Sequence, residues 1–168
     1  MKKLLVYGFG NPGRRDDGLG IKLVEKLEKW AIEEEYLQLY FDSNYQLNIE
    51  DAFELKQYDF VLFADASQED MDDFIISRVE ASAKVDFTTH SVSPSYLKYI
   101  AEDLFGYSPQ VYLLHMKGYE WQLEEGLSEQ AEKNLYKSLL FTQNLLAGLL
   151  GPEPILKDPL LYYKNSAL

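Results

Sequence analysis

The chain has 168 residues, of which 46% are hydrophobic and 26% charged, so it can bury one globular core and does not have the composition of a disordered protein. Its 28 acidic and 16 basic residues give a net charge of -12, which disfavours nucleic acid as a partner. Cysteine is absent, which excludes disulfides and thiolate ligands from this chain and fits a reducing, cytoplasmic compartment.

The first residues predict a strand over 4–7. The charged start resembles a signal peptide, but the apolar run ends at Gly8, too early for one. Ile21, Val24 and Leu27 then recur at helical spacing, which predicts an amphipathic helix after a glycine-rich loop. No apolar run approaches the roughly 18 residues of a membrane span.

The rest of the chain alternates strand and helix signals. Apolar, aromatic and β-branched runs predict further strands over 36–41, 60–65, 75–79 and 111–114. A short helix is expected over 49–55. Ser93, followed by proline, and Ser128 are typical of helix N-termini, and the helix after Ser128 should end at Gly151.

This alternation predicts an α/β fold, a single three-layer domain with helices on both faces of a mainly parallel, or mixed, sheet of about five strands. The domain is expected to span residues 1–150. Residues 151–168 form a proline-rich apolar tail that should dock, because a bare apolar segment promotes aggregation. It is expected to pack on the domain, and the alternative is that it forms part of a partner or self-association surface. Ligands of such sheets bind beyond the carboxyl ends of the strands, which directs attention to residues after the first and third strands.

The loop from Gly8 to Gly20 contains a Gly-x-Gly pattern and the acidic pair Asp16 and Asp17. The glycines allow a tight turn and a close approach of a ligand, but the pattern alone is weak. Two carboxylates at the start of a helix disfavour a bound phosphate. These acids either cap the helix and offset its dipole or belong to a site.

Two further polar residues are candidates for the same sheet edge. Asp65 comes at the end of an apolar strand, where it is either a turn residue or a site carboxylate. His90 lies in a polar stretch, whereas His115 ends an apolar strand and better fits a structural role. Asp17, Asp65 and His90 would supply two oxygens and one nitrogen to a divalent transition metal. Sequence spacing alone does not show that they converge.

The ordered set of these motifs resembles the hydrogenase maturation protease family over about the first 150 residues. The resemblance is carried by Gly10-Asn11 with Asp16-Asp17-Gly18-Leu19-Gly20 after the first strand, Ala64-Asp65-Ala66, His90 in its polar loop, and Gly126-Leu127-Ser128 before the last helix. It implies an endopeptidase that removes a C-terminal extension from the large-subunit precursor of a nickel-iron hydrogenase after nickel insertion.

The resemblance also implies the site residues. Asp17, Asp65 and His90 match the positions that contact the metal in that family, so they are the expected metal-contacting and catalytic residues. The nickel is expected to be carried by the hydrogenase precursor, and no organic cofactor is implied. The metal would place the scissile bond and polarise its carbonyl toward water. Asp16 is a candidate for activating that water only because it is adjacent.

Two other interpretations remain open. The Gly8–Gly13 segment also resembles the opening loop of peptidyl-tRNA hydrolase, but no histidine follows shortly after it and the net charge disfavours tRNA. A non-catalytic protein that holds a metallated client would use the same ligands as a protease. Only cleavage of the precursor, as opposed to its binding, separates that interpretation from an enzyme.

Overall fold

The computed structural model describes residues 2–84, 92–151 and 160. The described residues form strands and helices that alternate along the chain. In order these are β1 (Leu4–Phe9), α1 (Leu19–Glu33), β2 (Leu39–Asn44), α2 (Asp51–Leu55), β3 (Phe60–Ser67), β4 (Phe74–Arg78), α3 (Pro94–Phe105), β5 (Gln110–Lys117) and α4 (Glu129–Leu150).

The strands form one sheet in the order β2-β1-β3-β5-β4. Four strands are parallel, and β4 pairs antiparallel with β5 at one edge. The predicted α/β fold, with a mainly parallel, mixed sheet, is therefore confirmed. β2 lies on one side of β1 and β3 lies on the other, so the strand order reverses at β1. A crevice at the carboxyl ends of β1 and β3 is where such a reversal places ligand sites.

Two hydrophobic cores hold the layers together. The helices α1 and α4 cover one face of the sheet, where Leu23 and Leu145 are fully buried with Leu62 and Leu114 of the strands. The helices α2 and α3 cover the opposite face, where Leu97 packs against the strands. Because apolar residues line both faces of the central strands, their runs are continuous rather than alternating, as expected for a doubly covered sheet.

The helix ends follow the predicted signals. The Ser93 hydroxyl accepts a hydrogen bond from the Tyr96 amide at 3.2 Å and caps α3, and Ser128 caps α4 through the Ala131 amide at 3.2 Å. α4 ends before Gly151, as predicted. These caps satisfy amide groups that have no partner within the helix.

Several predicted boundaries differ from the structure, and three of them bear on the site or its surroundings. β2 begins at Leu39, not 36, because Tyr36 still belongs to the turn after α1 and packs on Trp30 with ring centroids 5.1 Å apart. β3 continues past Asp65 to Ser67, and β5 continues past His115 to Lys117. The two polar residues therefore lie within their strands and not beyond them, because the strands continue into a polar edge that periodicity does not detect.

Gly151 and Leu160 are the described residues of the tail, and Leu160 is the one that packs on the domain. It is partly buried and packs against the core between the sheet and the α1 and α4 layer. The predicted docking of residues 152–159 and 161–168 lies outside the described residues. Within the described part of the chain, no helix combines the length and apolar character needed to cross a membrane.

Candidate functional site

The loop after β1 turns sharply at Gly10. This residue has a φ of 135°, and a Cβ atom added to it would lie 2.1 Å from the Asp17 carbonyl oxygen, so only glycine fits. The loop then forms a single 3-10 turn, Arg15–Gly18, which we call the acid turn. α1 begins directly after it, with Gly18 at the N-cap and no capping side chain. The acids therefore do not cap α1, contrary to that alternative.

Asp17 presents its carboxylate to the loop at the end of β1. Its Oδ2 accepts a hydrogen bond from the Asn11 amide at 2.9 Å, and the side chain is partly exposed. This bond leaves Oδ1 free of any hydrogen bond from the described residues, so one carboxylate oxygen remains available to a ligand.

Asp16 points the opposite way and is fully buried. Its Oδ2 accepts hydrogen bonds from the Tyr119 amide at 2.7 Å, the Glu120 amide at 3.0 Å and the Ser128 hydroxyl at 2.7 Å. Its Oδ1 accepts one from the Ser128 amide at 2.7 Å. Burial acts to raise the pKa of Asp16, but these hydrogen bonds outweigh it and hold the pKa below its usual value. With no exposed surface, Asp16 cannot activate a water, which makes its candidacy as a general base wrong.

Asp65 lies one strand away, near the end of β3. Burial and the nearby negative charge of Asp17 raise the pKa of Asp65 to about 7, although the Ala66 amide donates to Oδ1 at 2.8 Å and opposes the shift. The acid turn also packs against β3. The charge of Asp17 therefore acts on Asp65 across the carboxyl ends of β1 and β3, and their joint role in a site stays a prediction. A carboxyl group whose pKa is raised by burial and by a neighbouring charge at this edge of the sheet is a candidate for a functional site.

His115 occupies the register position next to Asp65 in the parallel pair of β3 and β5. Both side chains point to the α2 and α3 face and are partly buried. Burial lowers the pKa of His115, and the charge of Glu69 only partly opposes this. Its apolar sequence neighbours predict a structural role for His115. Its adjacency to Asp65 depends on strand order, which those neighbours do not reveal.

The third predicted ligand, His90, lies outside the described residues. Its convergence with Asp17 and Asp65 stays a prediction. Among residues 2–84, 92–151 and 160, no group of three or more acidic or histidine side chains is arranged to hold a metal ion. The described part of the site is thus a pair of carboxylates, whose oxygens suit a divalent ion but do not complete its coordination.

A second loop, residues 118–128, lies against the acid turn, and we call it the lateral loop. The Arg15 guanidinium donates two hydrogen bonds to Glu120 Oε2, the shorter at 2.6 Å, and the Arg15 amide donates to the Glu124 carbonyl at 2.8 Å. Arg14 bonds to the Trp121 carbonyl at 3.4 Å. Sequence analysis missed these contacts. The Arg14-Arg15 pair beside a later acidic loop was the only signal that could have indicated them.

The first turn of α1 is held close to the central strands. A Cβ atom on Gly20 would lie 2.3 Å from the Ala64 carbonyl oxygen, so glycine is required where the helix crosses β3. The acid turn runs directly into α1, so this contact also sets the position of the turn relative to Asp65. The glycine thus contributes to the geometry of the carboxylate pair.

Comparison with known proteins finds the same fold. The structure matches the NiFe hydrogenase maturation protease HycI from Thermococcus kodakarensis with a TM-score of 0.70 and 17% identity, over 85% of this chain and 91% of that one. It matches the hydrogenase maturating endopeptidase HybD from E. coli with a TM-score of 0.61 and 21% identity, over 86% and 91%. A hydrogenase 2 maturation peptidase from a Thaumarchaeota archaeon gives a TM-score of 0.61 at 22% identity, over 90% and 100%.

No protein-family model and no curated protein matches the sequence. The structural matches cover nearly the whole of each chain and so define the class of fold, which is that of the hydrogenase maturation proteases. The fold that the sequence resemblance implied is therefore confirmed for this protein. At these identities the match concerns the fold, and the activity is a separate question.

Proposed function

We propose that this protein is an endopeptidase that removes the C-terminal extension of a nickel-iron hydrogenase large-subunit precursor after nickel has been inserted. The observation that carries the proposal is the pairing of Asp17 with Asp65 at the point where the sheet order reverses. This carboxylate pair occurs in a chain with the fold of the hydrogenase maturation proteases.

In this proposal the carboxylate pair recognises nickel that the precursor already holds. Asp17 offers a partly exposed oxygen, and Asp65 is held in a polar edge where a cation would favour its ionised form. His90 would supply the nitrogen ligand. Cleavage would then depend on correct metal insertion, because a precursor without nickel lacks the group that the site recognises.

The metal of the precursor would place the scissile bond beside the site and polarise its carbonyl for attack by water. The residue that takes the proton from that water is not assigned. Asp16 is unsuited to this task because it is buried and both of its oxygens accept hydrogen bonds. Location in the cytoplasm, proposed from the cysteine-free sequence, is compatible with such a client.

A non-catalytic binding protein is the main alternative, since recognition and catalysis would use the same ligands. A peptidyl-tRNA hydrolase is disfavoured by the net charge of -12. No feature of the described residues favours either alternative over the protease.

The proposal is tested by incubating the purified protein with nickel-loaded and nickel-free precursor and following the size of the large subunit. Only the nickel-loaded precursor should be shortened. Asp17→Asn should reduce cleavage by about 100-fold or more, because loss of a metal-contacting charge weakens both recognition and placement. Asp103→Asn, which changes an exposed carboxylate on α3, is the matched control and should cleave normally.

Precursor that is bound but never shortened would support the binding protein and reject the protease. Equal cleavage of nickel-loaded and nickel-free precursor would reject the role of the metal. Normal cleavage by Asp17→Asn would reject the assignment of the site.

A further inference from the structure

We propose that Asp16 is the positioning residue of the site, which sets the place of Asp17 by fastening the acid turn to the lateral loop. This inference rests on the proposed function and assigns to it a residue that never contacts the substrate. It follows from the direction of the two adjacent carboxylates. One is fully buried with four hydrogen bonds, and the other is partly exposed at the carboxylate pair.

The hydrogen bonds of Asp16 all come from the lateral loop and its junction with α4. Two amides near the start of the loop, of Tyr119 and Glu120, and both donors of Ser128 at its end converge on one carboxylate. Asp16 therefore joins the two ends of the lateral loop to each other and to the acid turn. A carboxylate can do this because its two oxygens together offer about four acceptor sites, whereas the single oxygen of an amide or hydroxyl side chain offers about two.

Little freedom remains between Asp16 and Asp17. The Asp17 amide donates to the Arg14 carbonyl at 3.1 Å, and the Asp17 carbonyl lies against Gly10, where no Cβ atom fits. Arg15 adopts a φ of 48°, a left-handed conformation that is unfavourable for arginine and persists only where its surroundings impose it. A displacement of Asp16 must therefore move Asp17.

The two loops have other links that do not depend on Asp16. Arg15 pairs with Glu120, the Arg14 and Glu124 backbones form a bridge, and Ser128 caps α4 through the Ala131 amide. Removal of the Asp16 charge should therefore leave the loops associated but free to shift relative to one another.

The test is steady-state cleavage of nickel-loaded precursor by Asp16→Asn, compared with wild type. The substituted amide has the same shape but keeps only one acceptor oxygen and presents hydrogens to the lateral-loop donors. We expect kcat to fall about 10- to 100-fold and KM to rise by a smaller factor, because a misplaced Asp17 impairs placement of the scissile bond more than it impairs binding of the whole client. The folded fraction is measured by circular dichroism at the assay temperature, so that loss of folded protein is not counted as loss of kcat.

A rise in KM with unchanged kcat would overturn the inference, because it would mean that the lateral loop serves client binding alone. Unchanged kcat and KM would overturn it as well. If Asp16→Asn does not fold, Ser128→Ala takes its place, since it removes one of the four hydrogen bonds of Asp16 and leaves the Ser128 amide. It also removes the hydroxyl that caps α4, so its folded fraction is measured in the same way. It should lower kcat in the same direction by a smaller factor, and an unchanged kcat there would equally overturn the inference.

Glu124→Gln is the matched control on the lateral loop. It weakens an exposed ion pair with Arg15, 3.8 Å long, and leaves every Asp16 bond in place, so kcat and KM should equal those of wild type. Wild-type protein that cleaves no nickel-loaded precursor would reject the proposed function and this inference together. If the wild-type protein cleaves the precursor and the kcat of Asp16→Asn and of Ser128→Ala is unchanged, the positioning role alone is rejected.

Discussion

Asp65 and His115 are register partners in the parallel strands β3 and β5, and their side chains share one face of the sheet. Each is partly buried, and burial shifts the pKa of each toward its neutral form: it is the largest cause raising the pKa of Asp65 to about 7, and it lowers that of His115. The polar edge of the sheet thus extends across β3 to β5. His115 is closer to the carboxylate pair than its apolar sequence neighbours suggested.

The two histidines can be separated by substitution. His90→Ala should abolish processing, because it removes the proposed nitrogen ligand, whereas His115→Ala should keep processing within about threefold. The expectation for His115 follows from its position in an apolar strand, where its side chain is partly buried. The measurement is cleavage of nickel-loaded precursor under identical conditions. An essential His115 with a dispensable His90 would reverse the assignment and make the neighbour of Asp65 the ligand.

The raised pKa of Asp65 predicts a pH-dependent stability. Between pH 4 and pH 7 the folded state keeps a proton on Asp65 that the unfolded state releases, so the free energy of unfolding falls as pH rises through this window. Asp65→Asn removes the ionisable group. It should therefore stabilise the protein more at pH 8 than at pH 4, by roughly 1–3 kcal/mol after allowance for solvent screening. Urea unfolding of both proteins at the two pH values measures this difference.

The control for this prediction is Asp103→Asn, whose exposed carboxylate should give the same difference from wild type at both pH values. The difference in free energy of unfolding between Asp65→Asn and wild type could instead be the same at pH 4 and pH 8. Asp65 would then have an ordinary pKa, and its carboxyl group would be exposed to solvent.

Gly20→Ala should destabilise the protein and impair processing together. The added Cβ would lie 2.3 Å from the Ala64 carbonyl oxygen, so α1 must move away from β3 and carry the acid turn with it. Such overpacking typically costs about 1–3 kcal/mol. Thermal unfolding and precursor cleavage measure the two effects.

Gly13→Ala is the matched control, because its Cβ would meet only the Asn11 Oδ1 atom, at 3.1 Å. That atom needs to shift by only a few tenths of an ångström and can keep the hydrogen bond that it accepts from the Gly13 amide. It should unfold within about 0.5 kcal/mol of wild type. A Gly20→Ala protein as stable and active as wild type would show that close packing against β3 does not set the position of α1.

Truncation after Gly151 should lower the stability of the domain. Leu160 packs against the core on the α1 and α4 side, so removal of the tail exposes apolar surface that it covers. Leu160→Ala should reproduce part of the loss, about 1–2 kcal/mol for a half-buried leucine. Chemical unfolding and light scattering measure stability and association. A truncated protein with unchanged stability, association and activity would show that the tail is dispensable.

Much of this molecule could be predicted from local patterns in the sequence. Apolar runs and helical spacing indicate the alternation of strands and helices, and Ser93 and Ser128 mark helix starts that the structure confirms. Such features are local, because a capping hydroxyl bonds to an amide three residues away. The edge at which Asp17 and Asp65 meet also follows from alternation, since parallel strands bring their carboxyl ends together.

Other features depended on the tertiary structure because they join residues far apart in the chain. Asp16 and Asp17 are indistinguishable as adjacent acids, yet one bonds to Ser128, 112 positions away, and the other faces the site. Asp65 and His115 become neighbours only through the strand order, which no local period encodes. The types of the chemical groups were readable from the sequence, but the direction of each carboxylate was decided by the donors that long-range packing brings within hydrogen-bonding distance.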